Sequence, residues 1–351
     1  VKERSLTLTG AEVVETSYRV YEDGTLLPHY LGSVGSITSE QWWVTDENGT
    51  VTTPLRDKGY NMNDVIGQSG LEAYAEERLR GKDGTQQVTR DRNGVIVSSE
   101  VLEAPQPGET VVTTINRDLQ AAVNEALANL ITTMQQTKAD NKGGRVTSGA
   151  IVVLDVKTGG ILATSGLYTP GSSFKPAVAL DGLLSGTITG SSTVFCARTF
   201  TLYDDYQPIC QMINHGVGPI DVVHALTHSC NTFFYDTGHK LGLEHFDEMA
   251  TRLGLATETG FELGEATGSL THTTDENYSN GLELQAAIGQ GNTQVTPIQL
   301  ATYANTLANK GTRYKTHIVA GYRDTNTGEL IEEVQPEVVE SIEDTVGAFS
   351  L

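Results

Sequence analysis

The 351 residues suffice for two domains, or one large one, with a hydrophobic core that needs no staples. With 23 Lys+Arg against 44 Asp+Glu, the net charge of −21 would repel a phosphate backbone, which excludes nucleic acid as a partner and reads as a solvated, acidic surface. No run of about 18 apolar residues and no basic-then-apolar leader occurs, so the sequence as given reads as soluble. The start at Val1 fits a trimmed chain, so the native protein could still carry an anchor.

In chain order, residues 1 to about 110 read as short β-type runs between polar turns, as at Tyr18–Tyr21, Trp42–Thr45 and Val51–Thr53, with few helices. One helix is expected over Gly70–Arg80, where Leu71, Tyr74, Ala75, Arg78 and Leu79 have helical spacing and Gly81 supplies a stop. Asp91–Gly94 reads as a hairpin turn between Gln87–Thr89 and Val95–Val97. Ala104–Gly108, with two prolines and a glycine, is the expected domain boundary.

Beyond it, Val111–Ile115 reads as a strand and Asp118–Gln136 as an amphipathic helix presenting Leu119, Ala122, Val123, Ala126, Leu127 and Leu130. Ala150–Leu154 and Ile161–Thr164 read as a buried hairpin around Lys157–Gly160. Helical patterns dominate Ser172–Asn309, and a strand pair over Thr316–Tyr322 and Leu330–Val334 follows. Strands at both ends of a helical middle predict an α+β domain with one antiparallel sheet.

Chemistry concentrates in Pro170–Pro176. Pro170 and Gly171 end an extended segment, Ser172 suits a helix start, and Pro176 is tolerated only in a first turn. Three positions on, Lys175 shares the face of Ser172, and its amine can serve as the base a serine nucleophile requires. That amine works only when neutral, and burial together with the positive end of the helix dipole disfavours the ammonium. Of the ten lysines, only Lys175 has serine three residues before it.

Gly166–Pro176 resembles the serine-nucleophile region of class B penicillin-binding proteins, especially the elongation-type branch. Ser229-Cys230-Asn231, the one S-x-N of the chain, followed by Phe233-Phe234-Tyr235, matches the second motif of that family. Leu154–Ala163, Asn214-His215-Gly216, Ile288–Gly291 with Val295–Ala301, and, in the first domain, Ile66–Glu72 and Leu79–Gly84 resemble further family segments. The resemblance implies an antiparallel sheet with a helical subdomain over residues 111–351, behind a β-rich pedestal over residues 1–110. It implies a D,D-transpeptidase in which Ser172 is the nucleophile, Lys175 the base, Ser229 a proton relay and Asn231 a substrate-binding amide. Peptidoglycan stem peptides, β-lactam antibiotics and a membrane glycosyltransferase are the implied partners. No metal or organic cofactor is implied, and the catalytic part would be extracytoplasmic on a membrane-anchored protein.

Two departures from that family stand out. Its third motif, K-[ST]-G on a late edge strand, is missing, because the single Lys-Thr-Gly at Lys157–Gly159 precedes the nucleophile and reads as a hairpin turn. Only seven residues separate Thr164 from Ser172, where the family has a longer insertion. Both departures follow if stretches of the native chain are omitted, so the transpeptidase domain is expected to be incomplete. A β-lactam sensor or inactive homologue, or a serine β-lactamase, are the alternative readings, and the large pedestal argues against the last. Cys196, Cys210 and Cys230 lack paired zinc-site spacing; Cys196 and Cys210 either pair in an oxidising compartment or stay as buried thiols. His215 reads as structural, as do His224 and His228, one helical turn apart with no third ligand.

Overall fold

A computed structural model describes residues 18–92, 94, 96–137, 146–165, 170–211 and 215–350. It divides into two compact units: residues through Val112 together with Gly321–Glu333, and Thr113–Ala320 together with Val334 onward. The first unit thus takes in a late excursion of the chain that the proline-rich stretch at Ala104–Gly108 does not announce.

In the first unit, strand β1 (Ser33–Ser36) pairs antiparallel with β4 (Val65–Ser69), and β2 (Val44–Thr45) with β3 (Val51–Thr52). Three short helical turns that the sequence reading lacks stand among them: α1 (Pro28–Leu31), α2 (Ser39–Trp42) and α3 (Pro54–Asp57). Proline opens α1 and α3, and a reciprocal Thr38–Gln41 capping box opens α2. Trp42 therefore ends a helix instead of starting a strand, and it is buried with Ile37, Tyr60 and Ile66. Tyr18–Tyr21 forms no strand. The helix expected over Gly70–Arg80 is broken at Ala75 into α4 (Gly70–Tyr74) and α5 (Glu76–Leu79). The break lets Glu76 turn back and accept the Gly67 N–H at 2.7 Å.

The hairpin β5 (Thr85–Arg90) and β6 (Ile96–Glu103) is exposed on both strands; Asn93 and Val95 of its expected turn lie outside the described residues. The excursion β13 (Val319–Arg323) and β14 (Leu330–Glu333) aligns with β7 (Thr110–Thr113) in a three-stranded sheet. Arg78 binds there, pairing with Glu109 and Glu332 and stacking 4.0 Å from the Tyr322 ring centre.

In the second unit, α6 (Arg117–Thr137) buries Gln120 and Val123 and leaves Ala122, Ala126 and Leu130 exposed, so the buried face is rotated from the one expected. Gln120 is accommodated by donating to Asn124 Oδ1 at 2.8 Å, one turn along the same face. Strands β8 (Ile151–Leu154) and β9 (Ile161–Ser165) form the expected hairpin, its turn held by Asp155 Oδ1 accepting the Lys157 and Thr158 N–H groups. Ile161 N–H donates to His317 O at 2.8 Å and Thr114 N–H to Ile318 O at 2.8 Å, which joins the hairpin to the segment entering β13. Strands β12 (Thr312–Tyr314) and β15 (Val338–Ser341) add an antiparallel pair that the sequence reading lacks.

The core lies among helices. A 3₁₀ turn, Gly171–Phe174, runs into α7 (Lys175–Leu184), whose Ala177–Leu180 and Leu183 are buried on all sides. A helix apolar all round must be enclosed. Around it pack α9 (Asn231–Leu241) and α10 (Leu243–Arg252), with Phe174, Phe233, Phe234, Phe246 and Leu253 fully buried between them. The stretch in which helical patterns dominate also contains an antiparallel pair, β10 (Thr193–Cys196) with β11 (Gly218–Asp221), ahead of α8 (Val222–Thr227). A long turn region then precedes α11 (Asn280–Ala286) and α12 (Pro297–Ala308). Gly238 lets α9 approach closely: a Cβ there would sit 2.4 Å from the Ala287 Cβ.

Candidate active site

The turn carrying Ser172 is set by its neighbours. Gly171 adopts φ +55° and donates its N–H to Gly289 O at 3.1 Å, while Ser173 Oγ closes the turn on Pro170 O at 2.7 Å. Gly289, at φ +70°, tolerates that approach because a Cβ would fall 2.2 Å from Gly171 O. Ser172 is exposed in the 3₁₀ turn, and Lys175 opens α7 with Pro176 in its first turn. The backbone N–H groups of such a first turn have no intrahelical acceptor.

Lys175 is 1% exposed. Its Nζ donates to Ser229 O at 2.9 Å, Ser229 Oγ at 2.9 Å and Asn231 Oδ1 at 2.6 Å, and the Phe234 ring centre lies 5.6 Å away. Burial pulls the Lys175 ammonium down to about 8, against a smaller opposing influence of the Cys210 and Cys230 thiols. An ammonium has three donors, and all three are used here. Loss of one proton leaves a lone pair, and the Ser229 hydroxyl is the partner able to reverse roles and donate to it. Among the described residues, no hydrogen bond joins Ser172 Oγ to Lys175. The fold therefore gathers Lys175, Ser229 and Asn231 directly and leaves the Ser172 hydroxyl on the solvent side of the same helix start.

Ser229 links α8 to α9 at φ +55°, a left-handed conformation unusual for serine and of a kind that costs about 1–3 kcal/mol. It is held by Ser229 N–H to Leu226 O at 3.2 Å and Cys230 N–H to Ala225 O at 2.9 Å. The kink turns the Ser229 carbonyl and hydroxyl onto Lys175. On the far side, the Asn231 amide hydrogen-bonds the buried Tyr235 phenol, which burial pushes up to about 12.

A second group of side chains meets beside Asn231. Cys196, Cys210, His215 and Cys230 place their donor atoms within 4.8 Å of one another. All three thiols are free and buried, so the Cys196–Cys210 disulfide left open above is not formed. A return of the chain makes the group. Phe200 N–H bonds Pro208 O and Cys210 N–H bonds Arg198 O, folding Cys210 back on Cys196, while the pairing of Cys196 with Gly218 carries His215 in. Cys210 and Cys230 sulfurs are 3.9 Å apart. Tetrahedral zinc with Zn–S bonds of about 2.3 Å spaces its sulfurs about 3.8 Å apart. Contact of His215 Nδ1 with Gly216 O at 3.0 Å favours the tautomer whose Nε2 lone pair faces the thiols, 3.6 Å from Cys210 Sγ. This donor set fits zinc. Cysteine spacing does not reveal the group because the four side chains are brought together by β10, β11 and the start of α9 and not by a local motif. Cys230, lodged between Ser229 and Asn231, was the available signal. His224 bonds Asp221, stacks on His228 and stays outside the group.

Residues 166–169 and Asn214 of the family-like segments lie outside the described residues. Lys157–Gly159 is the β8–β9 turn.

Comparison with known proteins agrees with this architecture. The penicillin binding protein transpeptidase domain family matches residues 131–346, and the penicillin-binding protein dimerisation domain family matches residues 1–113. Peptidoglycan D,D-transpeptidase MrdA of Salmonella typhimurium is 28% identical over 86% of this chain and 52% of its own length. Penicillin-binding protein 2B of Streptococcus pneumoniae superposes with a TM-score of 0.74 at 26% identity, covering 95% of this chain and 59% of that one. A chain from a solved peptidoglycan synthase complex gives a TM-score of 0.77 at 27% identity, over 92% of this chain and 59% of that one. The chain thus spans about half the length of the curated relatives it matches.

Proposed function

Since the chain belongs to the penicillin-binding protein transpeptidase family, we propose that it performs acyl transfer on peptidoglycan stem peptides through a Ser172 acyl-enzyme. Ser172 Oγ attacks the carbonyl carbon between two terminal D-alanines as its proton passes to neutral Lys175. The first-turn N–H groups face the developing oxyanion. The C–N bond then breaks, and the departing D-alanine amine takes the proton back from Lys175 by way of Ser229. An acceptor amine from a second stem peptide attacks the ester, yields the cross-link and restores Ser172. Asn231, anchored by Tyr235 and Lys175, presents its amide to the peptide backbone of the donor. A β-lactam follows the first half and leaves a stable ester.

The observation that carries this reading is the buried Lys175 ammonium saturated by Ser229 and Asn231. The cysteine–histidine group would hold zinc and supply no group to the reaction. It ties the start of α9, and with it Ser229 and Asn231, to β10 and to the turn at His215. In the native protein this part would be extracytoplasmic and membrane-anchored, beside a membrane glycosyltransferase. No helix among the described residues is long and apolar enough to cross a membrane.

Intact mass before and after penicillin tests the proposal. One stoichiometric adduct on the Ser172 peptide, lost in Ser172→Ala and persisting for many minutes, is expected. No adduct would refute the enzyme reading, and rapid loss with continuous drug turnover would replace it with a β-lactamase.

A further inference from the structure

The cysteine–histidine group that fits zinc is closed to water on its sulfur side. Cys196 and Cys230 are 0% exposed and Cys210 is 1% exposed, and the Cys196 thiol donates to the buried Thr232 Oγ1 at 3.2 Å. His215 is the one member of the four that keeps open surface. A metal ion that reaches the thiols of the folded protein therefore has to come past the His215 ring.

Beside that ring stand two more imidazoles. The His228 ring centre lies 6.3 Å from that of His215 and 6.3 Å from that of His224, so His228 links the buried group to the surface. His224, at the outer end, is 66% exposed. Its Nδ1 donates to both oxygens of Asp221, at 2.8 and 3.0 Å, which leaves the Nε2 lone pair free. A carboxylate held on one imidazole nitrogen fixes the tautomer and makes the other nitrogen a better metal ligand. His228 ends α8 four residues later, on the same helix face. It is half-buried, yet among the described residues neither of its ring nitrogens has a hydrogen-bond partner. Two histidines four apart on one helix face are a metal-binding spacing. With Zn–N bonds of about 2.0 Å, two imidazoles on one zinc have ring centres about 5 to 6 Å apart. Both 6.3 Å gaps thus close onto one ion with small side-chain movements.

We propose that His224 and His228 form the mouth of a metal-entry path: the pair takes a zinc-type divalent cation from solution, and His228 with His215 passes it to Cys196, Cys210 and Cys230. The ion exchanges water for the two neutral imidazoles, then the His224 nitrogen for that of His215, and last the His228 nitrogen for the sulfurs. Each thiol that binds the ion gives its proton to water, and no electron moves. Three thiolates and an imidazole hold a borderline-soft cation more tightly than two imidazoles do, so transfer runs inward. The path rests on the reading of the cysteine–histidine group as a metal site and is independent of acyl transfer at Ser172.

The test follows arrival of metal at the sulfurs. The whole chain is stripped by a chelator under reducing conditions and mixed rapidly with Co²⁺, whose bonds to thiolate absorb in the near ultraviolet and report that step alone. In the parent the arrival rate should level off as Co²⁺ is raised, because capture precedes transfer. In His224→Gln combined with His228→Gln the rate at low Co²⁺ should fall about tenfold or more and rise linearly with concentration. The final absorbance and the thermal midpoint of the loaded protein should stay those of the parent, which a merely structural role for the pair would not allow. His224→Gln, at the exposed position, should lower the rate in the same direction and serves alone if the double variant misfolds. Equal arrival rates in parent and variants would overturn the path and leave the metal reading of the group standing. A second equivalent of metal that survives desalting of the parent but not of the double variant would overturn it in favour of a permanent surface site. Absence of the thiolate band in the parent would remove the metal reading and the path with it.

Discussion

The proposed base can be tested through its proton. An unperturbed lysine near 10.5 is neutral at pH 7 in only about 0.03% of molecules. At the value of about 8 that burial gives Lys175, the neutral fraction is about 9% at pH 7, half at pH 8 and about 90% at pH 9. Burial by itself therefore raises the competent population at pH 7 about 300-fold. If neutral Lys175 accepts the Ser172 proton, the second-order rate of acylation by a fluorescent penicillin should climb about fivefold from pH 7 to pH 8 and about tenfold from pH 7 to pH 9. The slope should then flatten. Lys175→Arg, which keeps charge and donors but cannot lose its proton, should show no acylation at any of these pH values. Stopped-flow or quenched labelling on the intact chain, with far-UV circular dichroism at each pH, separates chemistry from unfolding. A rate flat between pH 6.5 and 9, or a Lys175→Arg variant that acylates within tenfold of the parent, would refute the assignment of Lys175 as base. The same shift has a consequence for stability. The folded protein binds this proton less tightly than the unfolded chain, so the Lys175 contribution to stability should rise as pH climbs from about 8 to about 10.5.

Metal analysis of the purified chain should find about one zinc, and its removal by a chelator should lower the thermal midpoint and slow penicillin labelling, because Cys230 sits at the start of α9 between Ser229 and Asn231. A zinc-free protein with an unchanged midpoint would sink that reading of the Cys196–Cys210–His215–Cys230 group. Gly238→Ala would drive a methyl group to 2.4 Å from the Ala287 Cβ and should cost about 1–3 kcal/mol in urea unfolding; no measurable loss would mean that α9 and the α11 end are not so closely packed.

Local chemistry was legible without coordinates. A serine and a lysine three residues apart, preceded by Pro-Gly and followed by proline, specify a helix start through bond geometry alone, and Ser172 and Lys175 lie at such a start, with the serine exposed and the lysine buried. The β8–β9 hairpin was readable for the same reason, since Asp155, Thr158 and Gly159 satisfy their own turn. Where the outcome depended on partners distant in sequence, the pattern misled. The polar Gln120 lies on the buried side of α6 beside Val123, where Asn124 meets its amide, while Ala122, Ala126 and Leu130 face outward. The helix over Gly70–Arg80 breaks because Glu76 is drawn to the Gly67 N–H.

The cysteine–histidine group shows that division most clearly. It has no local spacing signature, because cysteine and histidine donors from β10, a returning loop and the start of α9 converge only when β10 pairs with β11. The turn that carries Ser172 was thus determined by the sequence itself through short-range geometry. The burial that shifts Lys175, the strained Ser229 that holds it and the four-donor group beside Asn231 were decided by tertiary packing, because desolvation and ligand convergence are set by what the rest of the chain places around a residue.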